Sequence, residues 1–144
     1  MTTIKQDDFI QSIADALQFI SYYHPDDFVK AMTEAWKSEQ SPAAKDAIAQ
    51  ILVNSRMCAE GHRPICQDTG MVVAFVDIGM NLRWQADLTV EEMVNEGVRR
   101  AYSHPDNLLR ASMVADPAGA RKNTGDNTPA MVHTRMVAGD GLAI

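Results

Sequence analysis

Apolar residues recur at helical spacing through residues 1–60, and this pattern predicts three helices. Pro25 can open the second helix as its first residue, because its missing N–H costs nothing there. Ser41 followed by Pro42 forms an N-cap and first-residue pair for the third helix, which ends at Gly61. Each predicted helix has a stripe of residues along one side that we expect to pack in a core. The stripes are Ile10, Ile13, Leu17 and Ile20 in the first helix, Phe28, Met32 and Trp36 in the second, and Ala44, Ile48, Ile51, Leu52 and Ser55 in the third.

The spacing of the apolar residues along the chain changes after residue 70. Residues 71–78 form an apolar run rich in β-branched side chains, which predicts a buried strand. A capping box at Thr89 and Glu92 starts a further amphipathic helix, residues 116–129 predict an irregular loop, and residues 132–137 and 142–144 predict two more strands. The order predicts an α+β fold, with a helical N-terminal half followed by a small sheet and a further helix.

Composition narrows the possible functions. Apolar residues make up 46% of the 144 and charged residues 22%, as in an ordinary globular domain. The net charge of −6 argues against a nucleic-acid binder, which would normally carry a basic stripe. We see neither a secretory leader nor an apolar run long enough for a bilayer. Two cysteines without a secretory signal favour a reducing compartment, so we expect a cytoplasmic protein without nucleic-acid or membrane partners.

The richest chemistry lies in residues 63–70, RPICQDTG, between a helix end and a predicted strand. This stretch combines a cation, a thiol, an amide, a carboxylate and a hydroxyl. Pro64 stiffens the approach, and Gly70 permits an unusual backbone angle at the exit. Loops held between rigid elements are where binding and catalytic side chains concentrate. We therefore expect a functional site here, with an ordinary polar turn as the alternative.

Several roles are open to Cys66. It could be a nucleophile, with His62 as a neighbouring base, or it could form a disulfide with Cys58. A zinc site is disfavoured because no Cys-x-x-Cys or paired histidine spacing accompanies it. It could also bind an iron–sulfur cluster, for which cysteine thiolate is the usual ligand. A cubane cluster needs at least three protein thiolates and the chain has two cysteines, so further ligands would come from outside these residues.

A resemblance to a known family favours one of these roles for Cys66, that of an iron–sulfur cluster ligand. Residues 63–70 and the strand after them resemble the signature of the class I iron–sulfur fumarases and the related L-tartrate dehydratase α subunits. A second match is RKNTGDNTP at residues 121–129, whose aspartate, two asparagines and following valine-rich strand favour the fumarase branch. The resemblance implies reversible hydration of fumarate to (S)-malate, with a [4Fe–4S] cluster held by three cysteines and one iron open to substrate.

The resemblance also implies roles for four residues. Cys66 matches the first cluster ligand, and Gln67 and Asp68 match residues that contact the dicarboxylate, Asp68 also taking part in proton transfer. Arg110 matches, more loosely, an arginine that binds a substrate carboxylate. The other cluster cysteines, a Gly-Gly-Gly-Ser segment, a base and a C-terminal domain have no counterpart in these residues.

We therefore expect residues 1–144 to be the N-terminal part of an iron–sulfur hydro-lyase domain, inactive alone and acting as a homodimer with the rest of the enzyme. The open sheet edge predicted at Ile144 would face the missing part or a second copy. Three alternatives remain: a tartrate dehydratase α-type subunit, a non-catalytic fragment or interaction domain, and a free-standing cysteine-dependent enzyme that uses Cys66 with His62.

Overall fold

The computed structural model describes residues 1–67, 70–106 and 109–144. The chain divides into two compact units: Met1–Gln18 with Asp68–Ile144, and Phe19–Gln67. In chain order the elements are β1 (Thr3–Lys5), α1 (Gln6–Tyr22), α2 (Asp26–Ser38), α3 (Pro42–Gly61), β2 (Val73–Gly79), β3 (Arg83–Gln85), α4 (Val90–Ser103), β4 (Val114–Ala115), β5 (Lys122–Asn123), β6 (Met131–Val137) and β7 (Leu142–Ala143). Helices in the first half, then small sheets and one more helix, confirm the predicted α+β class.

The helix starts follow local capping chemistry. The Ser41 hydroxyl accepts a hydrogen bond from the N–H of Ala44 at 3.5 Å, and Pro42 is the first residue of α3, as predicted. The capping box between Thr89 and Glu92 is likewise present at the start of α4. Pro25 differs by one position: it is the N-cap residue of α2 rather than its first helical residue.

The predicted burial of the apolar stripes is partly wrong. Helix α2 has no buried residue, and the side chains of Phe28 and Trp36 are 36% and 38% exposed. Ile20, near the end of α1, is 65% exposed. Helical periodicity shows which side of a helix is apolar, but it does not show whether another element covers that side.

The hydrophobic core of the sheet-containing unit forms where α1 and α4 pack against one face of β2. Its side chains need no polar partner, and their burial stabilises the unit by removing apolar surface from water. The core residues are Phe9, Ile10, Ile13, Ala74, Val76, Ile78, Met93, Val94, Val98 and Ala130.

The main sheet has the order β6-β2-β7. Strands β2 and β6 are parallel, with Val73 opposite Met131, and β7 pairs antiparallel to β2. One face of β2 is buried and the other is open. On the open face, Phe75 is 67% exposed and stacks on His133, with ring centroids 5.0 Å apart. The strand was correctly predicted. The expectation that it would be buried is wrong for one of its two faces.

Two short ladders complete the fold and were not predicted. Strand β1 pairs parallel with β3, and β4 pairs antiparallel with β5, which lies inside the stretch 116–129 expected to be irregular. The Thr128–Pro129 peptide bond in this stretch is cis. In the described part of the chain, no helix combines the length and the apolar character needed to cross a bilayer.

Candidate functional site

The loop that follows α3 is held by the helices of its own unit. His62 is the C-cap residue of α3; it is left-handed with φ of 46° and donates its backbone N–H to the Cys58 carbonyl. Further along, the N–H of Ile65 donates to the Ser21 carbonyl at 2.9 Å, and the Ile65 carbonyl accepts from Asn54 Nδ2 at 3.0 Å. Hydrogen bonds therefore hold both backbone polar groups of Ile65, the residue before Cys66.

The His62 side chain has aromatic surroundings. Its Nε2 lies 3.1 Å from the Tyr23 hydroxyl, and its ring stacks on Tyr22 with centroids 5.7 Å apart. A helix cap with a tyrosine partner explains this histidine without catalysis. These contacts give His62 a structural role at the end of α3.

The two cysteines have different environments. Cys58 is 5% exposed, and its sulfur lies 3.6 Å from Asn54 Oδ1 and 3.5 Å from the Pro64 carbonyl oxygen. Cys66 is exposed, at the end of the anchored loop. Both lie in the described part of the chain, and no disulfide joins them. Of the two thiols, Cys66 is therefore the one that solvent and reagents can reach.

The other predicted site residues lie around the same motif or in the other unit. Gln67 is exposed and adjacent to Cys66, whereas Asp68 lies outside the described residues. Gly70 has φ of +51° and nothing within 4 Å of a Cβ built on it, so this glycine is required by backbone conformation and not by lack of space. Arg110 is exposed and belongs to the sheet-containing unit, whereas Cys66 and Gln67 belong to the helical unit.

The second sequence motif, residues 121–129, supports the segment that carries Arg110. Asn123 Nδ2 donates to the Ala111 carbonyl at 2.9 Å, and the N–H of Thr124 donates to the Met113 carbonyl at 2.9 Å. The β4–β5 ladder continues this contact. The motif therefore acts as a scaffold in this structure.

Sequence reasoning missed the role of Asn127. This residue is completely buried, at 0% exposure, and left-handed, with φ of 61°. Its Oδ1 accepts from the N–H of Ser112 at 2.8 Å and of Met113 at 3.1 Å, and its Nδ2 donates to the Gly70 carbonyl at 3.2 Å. The available signal was an Asn in a loop rich in Gly and Asp, because Asn tolerates the left-handed region better than most residues.

An ion pair ties the same motif to α4. Asp126 Oδ2 lies 3.1 Å from Arg99 Nε, and its Oδ1 accepts from the Thr128 N–H at 3.0 Å and the Thr128 hydroxyl at 2.7 Å. Burial tends to raise the pKa of Asp126, but the hydrogen bonds from Thr128 and Arg99 outweigh it and hold that pKa below its ordinary value. Asp126 is therefore ionised at neutral pH.

The described residues do not make a complete cluster site. Within residues 1–67, 70–106 and 109–144, no group of three or more His, Cys, Asp or Glu side chains is placed to hold a metal ion. Cys58 is buried with its sulfur against two acceptors, which leaves Cys66 as the accessible thiol. These residues can supply one thiolate to a cluster and not the set that a cubane requires.

Comparison with known proteins extends over nearly the whole chain. Residues 10–144 match the family described as fumarate hydratase (Fumerase). The chain is 32% identical over 119 residues to a protein of Methanocaldococcus jannaschii named putative L(+)-tartrate dehydratase subunit alpha, covering 81% of this chain and 41% of that protein. It is 26% identical over 132 residues to the L(+)-tartrate dehydratase subunit alpha of Escherichia coli strain UTI89, covering 92% and 43%. The chain thus spans about two fifths of the length of these relatives.

Proposed function

This chain belongs to the fumarate hydratase family, and we propose that it is the N-terminal part of a hydro-lyase that hydrates fumarate reversibly to (S)-malate. The observation that carries the proposal is the anchored loop after α3, which presents Cys66 at the surface within the motif of residues 63–70. The remaining cluster ligands and a C-terminal domain would come from outside the 144 residues. We propose a homodimer for the whole enzyme.

Each proposed residue has a role that its chemistry suits. Cys66 would be one thiolate ligand of a [4Fe–4S] cluster. Arg110 would bind a substrate carboxylate, because a guanidinium can donate two parallel hydrogen bonds to its two oxygens. Gln67 would donate an amide N–H to the dicarboxylate, and Asp68 would contact the dicarboxylate and take part in proton transfer.

Dehydration of tartrate is the second candidate. Both relatives described above are named L(+)-tartrate dehydratase subunit alpha. Tartrate is also a four-carbon dicarboxylate that loses water, so the same carboxylate-binding residues would serve. In this case the chain would form part of an α subunit that assembles with a different subunit.

The decisive experiment uses the complete protein that contains this chain, reconstituted anaerobically with iron and sulfide. Fumarate formation is followed by its ultraviolet absorbance, and oxaloacetate formation from L(+)-tartrate by a coupled assay. Turnover of fumarate and malate supports the first candidate, and turnover of tartrate alone supports the second. Visible cluster absorbance with neither activity, or no cluster at all, would overturn the proposed function.

Two matched pairs of variants test the residue roles. C66S should abolish the cluster absorbance, whereas C58S should retain it, because Cys58 is buried against its own helix and loop. R110M should raise the KM about 10- to 100-fold, the loss expected when a charge-assisted hydrogen bond is removed. Arg56→Met, an exposed cation paired with Glu60 on α3, should leave the KM unchanged. A cluster of full intensity in C66S would contradict the ligand assignment.

A further inference from the structure

The Asn127 side chain makes three hydrogen bonds inside the protein. A neutral amide offers two acceptor positions and two donor hydrogens. Both acceptor positions are filled by the N–H groups of Ser112 and Met113, and one donor hydrogen goes to the Gly70 carbonyl. Burial raises the pKa of the nearby Tyr102 phenol, and interaction with the Asn127 side chain acts in the opposite direction.

These bonds join two regions that are far apart in sequence. Gly70 closes the first motif, and Ser112 and Met113 follow Arg110 by two and three residues. The Ser112 hydroxyl also donates to the Gly70 carbonyl, at 3.2 Å, so this oxygen accepts hydrogen bonds from both Asn127 and Ser112. All of these residues belong to the same compact unit.

Few residues could replace Asn127. The backbone at φ of 61° disfavours most side chains and is tolerated by Asn, Asp and Gly. Glycine would leave the part-buried N–H groups of Ser112 and Met113 without their acceptor, and aspartate would place a carboxylate oxygen against the Gly70 carbonyl. Only the neutral amide supplies both the acceptor and the donor at this buried position.

We infer that Asn127 is a positioning residue that holds the Arg110 segment at a fixed place against Gly70, and so sets where Arg110 meets the substrate carboxylate. This inference rests on the proposed function, because it assigns Arg110 to the substrate. Asn127 itself is completely buried, so it acts through the backbone that it holds.

The test compares N127A with N95A in the complete reconstituted enzyme. Asn95 is a matched control in the same unit: its Oδ1 accepts from the Ala130 N–H at 2.8 Å and its Nδ2 donates to the Glu91 carbonyl at 2.9 Å. N127A should raise the KM for the dicarboxylate about tenfold with a smaller change in kcat. N95A should lower the thermal midpoint without changing the KM.

A double-mutant cycle separates positioning from general destabilisation. Combining N127A with R110M should raise the KM no further than R110M alone, because a misplaced arginine cannot matter once it is gone. Amide hydrogen exchange at Ser112 and Met113 should become about tenfold faster in N127A and unchanged in N95A. This exchange measurement tests whether Asn127 holds the backbone of Ser112 and Met113, and it does not depend on enzyme activity.

A milder variant covers the case in which N127A does not fold. S112A removes the hydroxyl bond to Gly70 and keeps the Ser112 N–H on Asn127, so a two- to fivefold rise in KM is expected at nearly unchanged stability. Additive effects of N127A and R110M, or equal KM values in S112A and the parent, would overturn this inference while the proposed function stands. A parent enzyme that turns over neither dicarboxylate would overturn both.

Discussion

Gly97 lies where α4 crosses α1, and it makes the packing of the core testable. A Cβ built on Gly97 would lie 2.6 Å from Ile13 Cβ, 2.7 Å from Ile13 Cγ2 and 2.9 Å from the Ile10 carbonyl oxygen. Two of these atoms belong to the branch point of a buried side chain and one to the backbone, so none can swing aside cheaply. G97A therefore forces the two helices apart or distorts Ile13.

The sign of the effect depends on two opposing contributions. Replacing glycine by alanine inside a helix gains about 1 kcal/mol of helix propensity. Forcing a methyl group into a packed core costs about 1–3 kcal/mol, and three contacts under 3 Å place this case at the upper end. We expect a net loss of about 1–2 kcal/mol in the free energy of unfolding. For a domain of this size that lowers the thermal midpoint by about 2–8 °C.

The measurement is urea unfolding followed by circular dichroism and by the fluorescence of Trp84. Trp84 packs edge-on against Phe9 with ring centroids 5.3 Å apart, so it reports on the core beside the substituted position. Trp36 is first replaced by phenylalanine so that one tryptophan remains. G61A is the matched control, because its added Cβ would meet only the Arg63 side chain, at 3.7 Å or more.

The control should be as stable as the parent or slightly more stable. A G97A protein with undiminished stability would refute the packing argument. Equal losses in G97A and G61A would show that the cost comes from alanine itself and not from the crossing of the helices.

Two further predictions concern charge and thiol exposure. The folded-state pKa of Asp126 is lowered, so its ionised form stabilises the fold above the unfolded-state value of 3.8, and this contribution is lost as the pH falls through the folded-state pKa. D126N should therefore have a lower thermal midpoint than the parent at pH 7, by a margin that shrinks toward pH 3. A margin that does not change with pH would contradict stabilisation of the Asp126 carboxylate by Thr128 and Arg99. Iodoacetamide should alkylate Cys66 in the native protein and Cys58 only after unfolding in urea. Equal native rates, measured by mass spectrometry, would show that Cys58 is not buried.

Local chemistry was predicted well from the sequence. The starts of α3 and α4 follow from Ser41 with Pro42 and from Thr89 with Glu92, because a cap is satisfied by residues three positions away. Strands β2 and β6 follow from their apolar, β-branched composition. The anchored position of Cys66 within an exposed loop likewise agrees with a motif between a helix end and a strand.

Burial was predicted less well. Phe28 and Trp36 have the spacing of a core face, yet α2 buries none of its residues. Phe75 lies in an apolar run, yet it faces outward from β2. A run of apolar residues reports the hydrophobicity of each position, and whether a second layer covers that position depends on the arrangement of distant elements.

The sequence by itself determined the α+β class, the helix boundaries set by caps, and the family to which the motif of residues 63–70 belongs. Only the tertiary structure decided that β1 pairs with β3 and that Asn127 joins Gly70 to Ser112. The physical reason is separation along the chain. Caps and periodicity act within a few residues, whereas the Asn127 bonds span 15 and 57 positions, so no local pattern contains them.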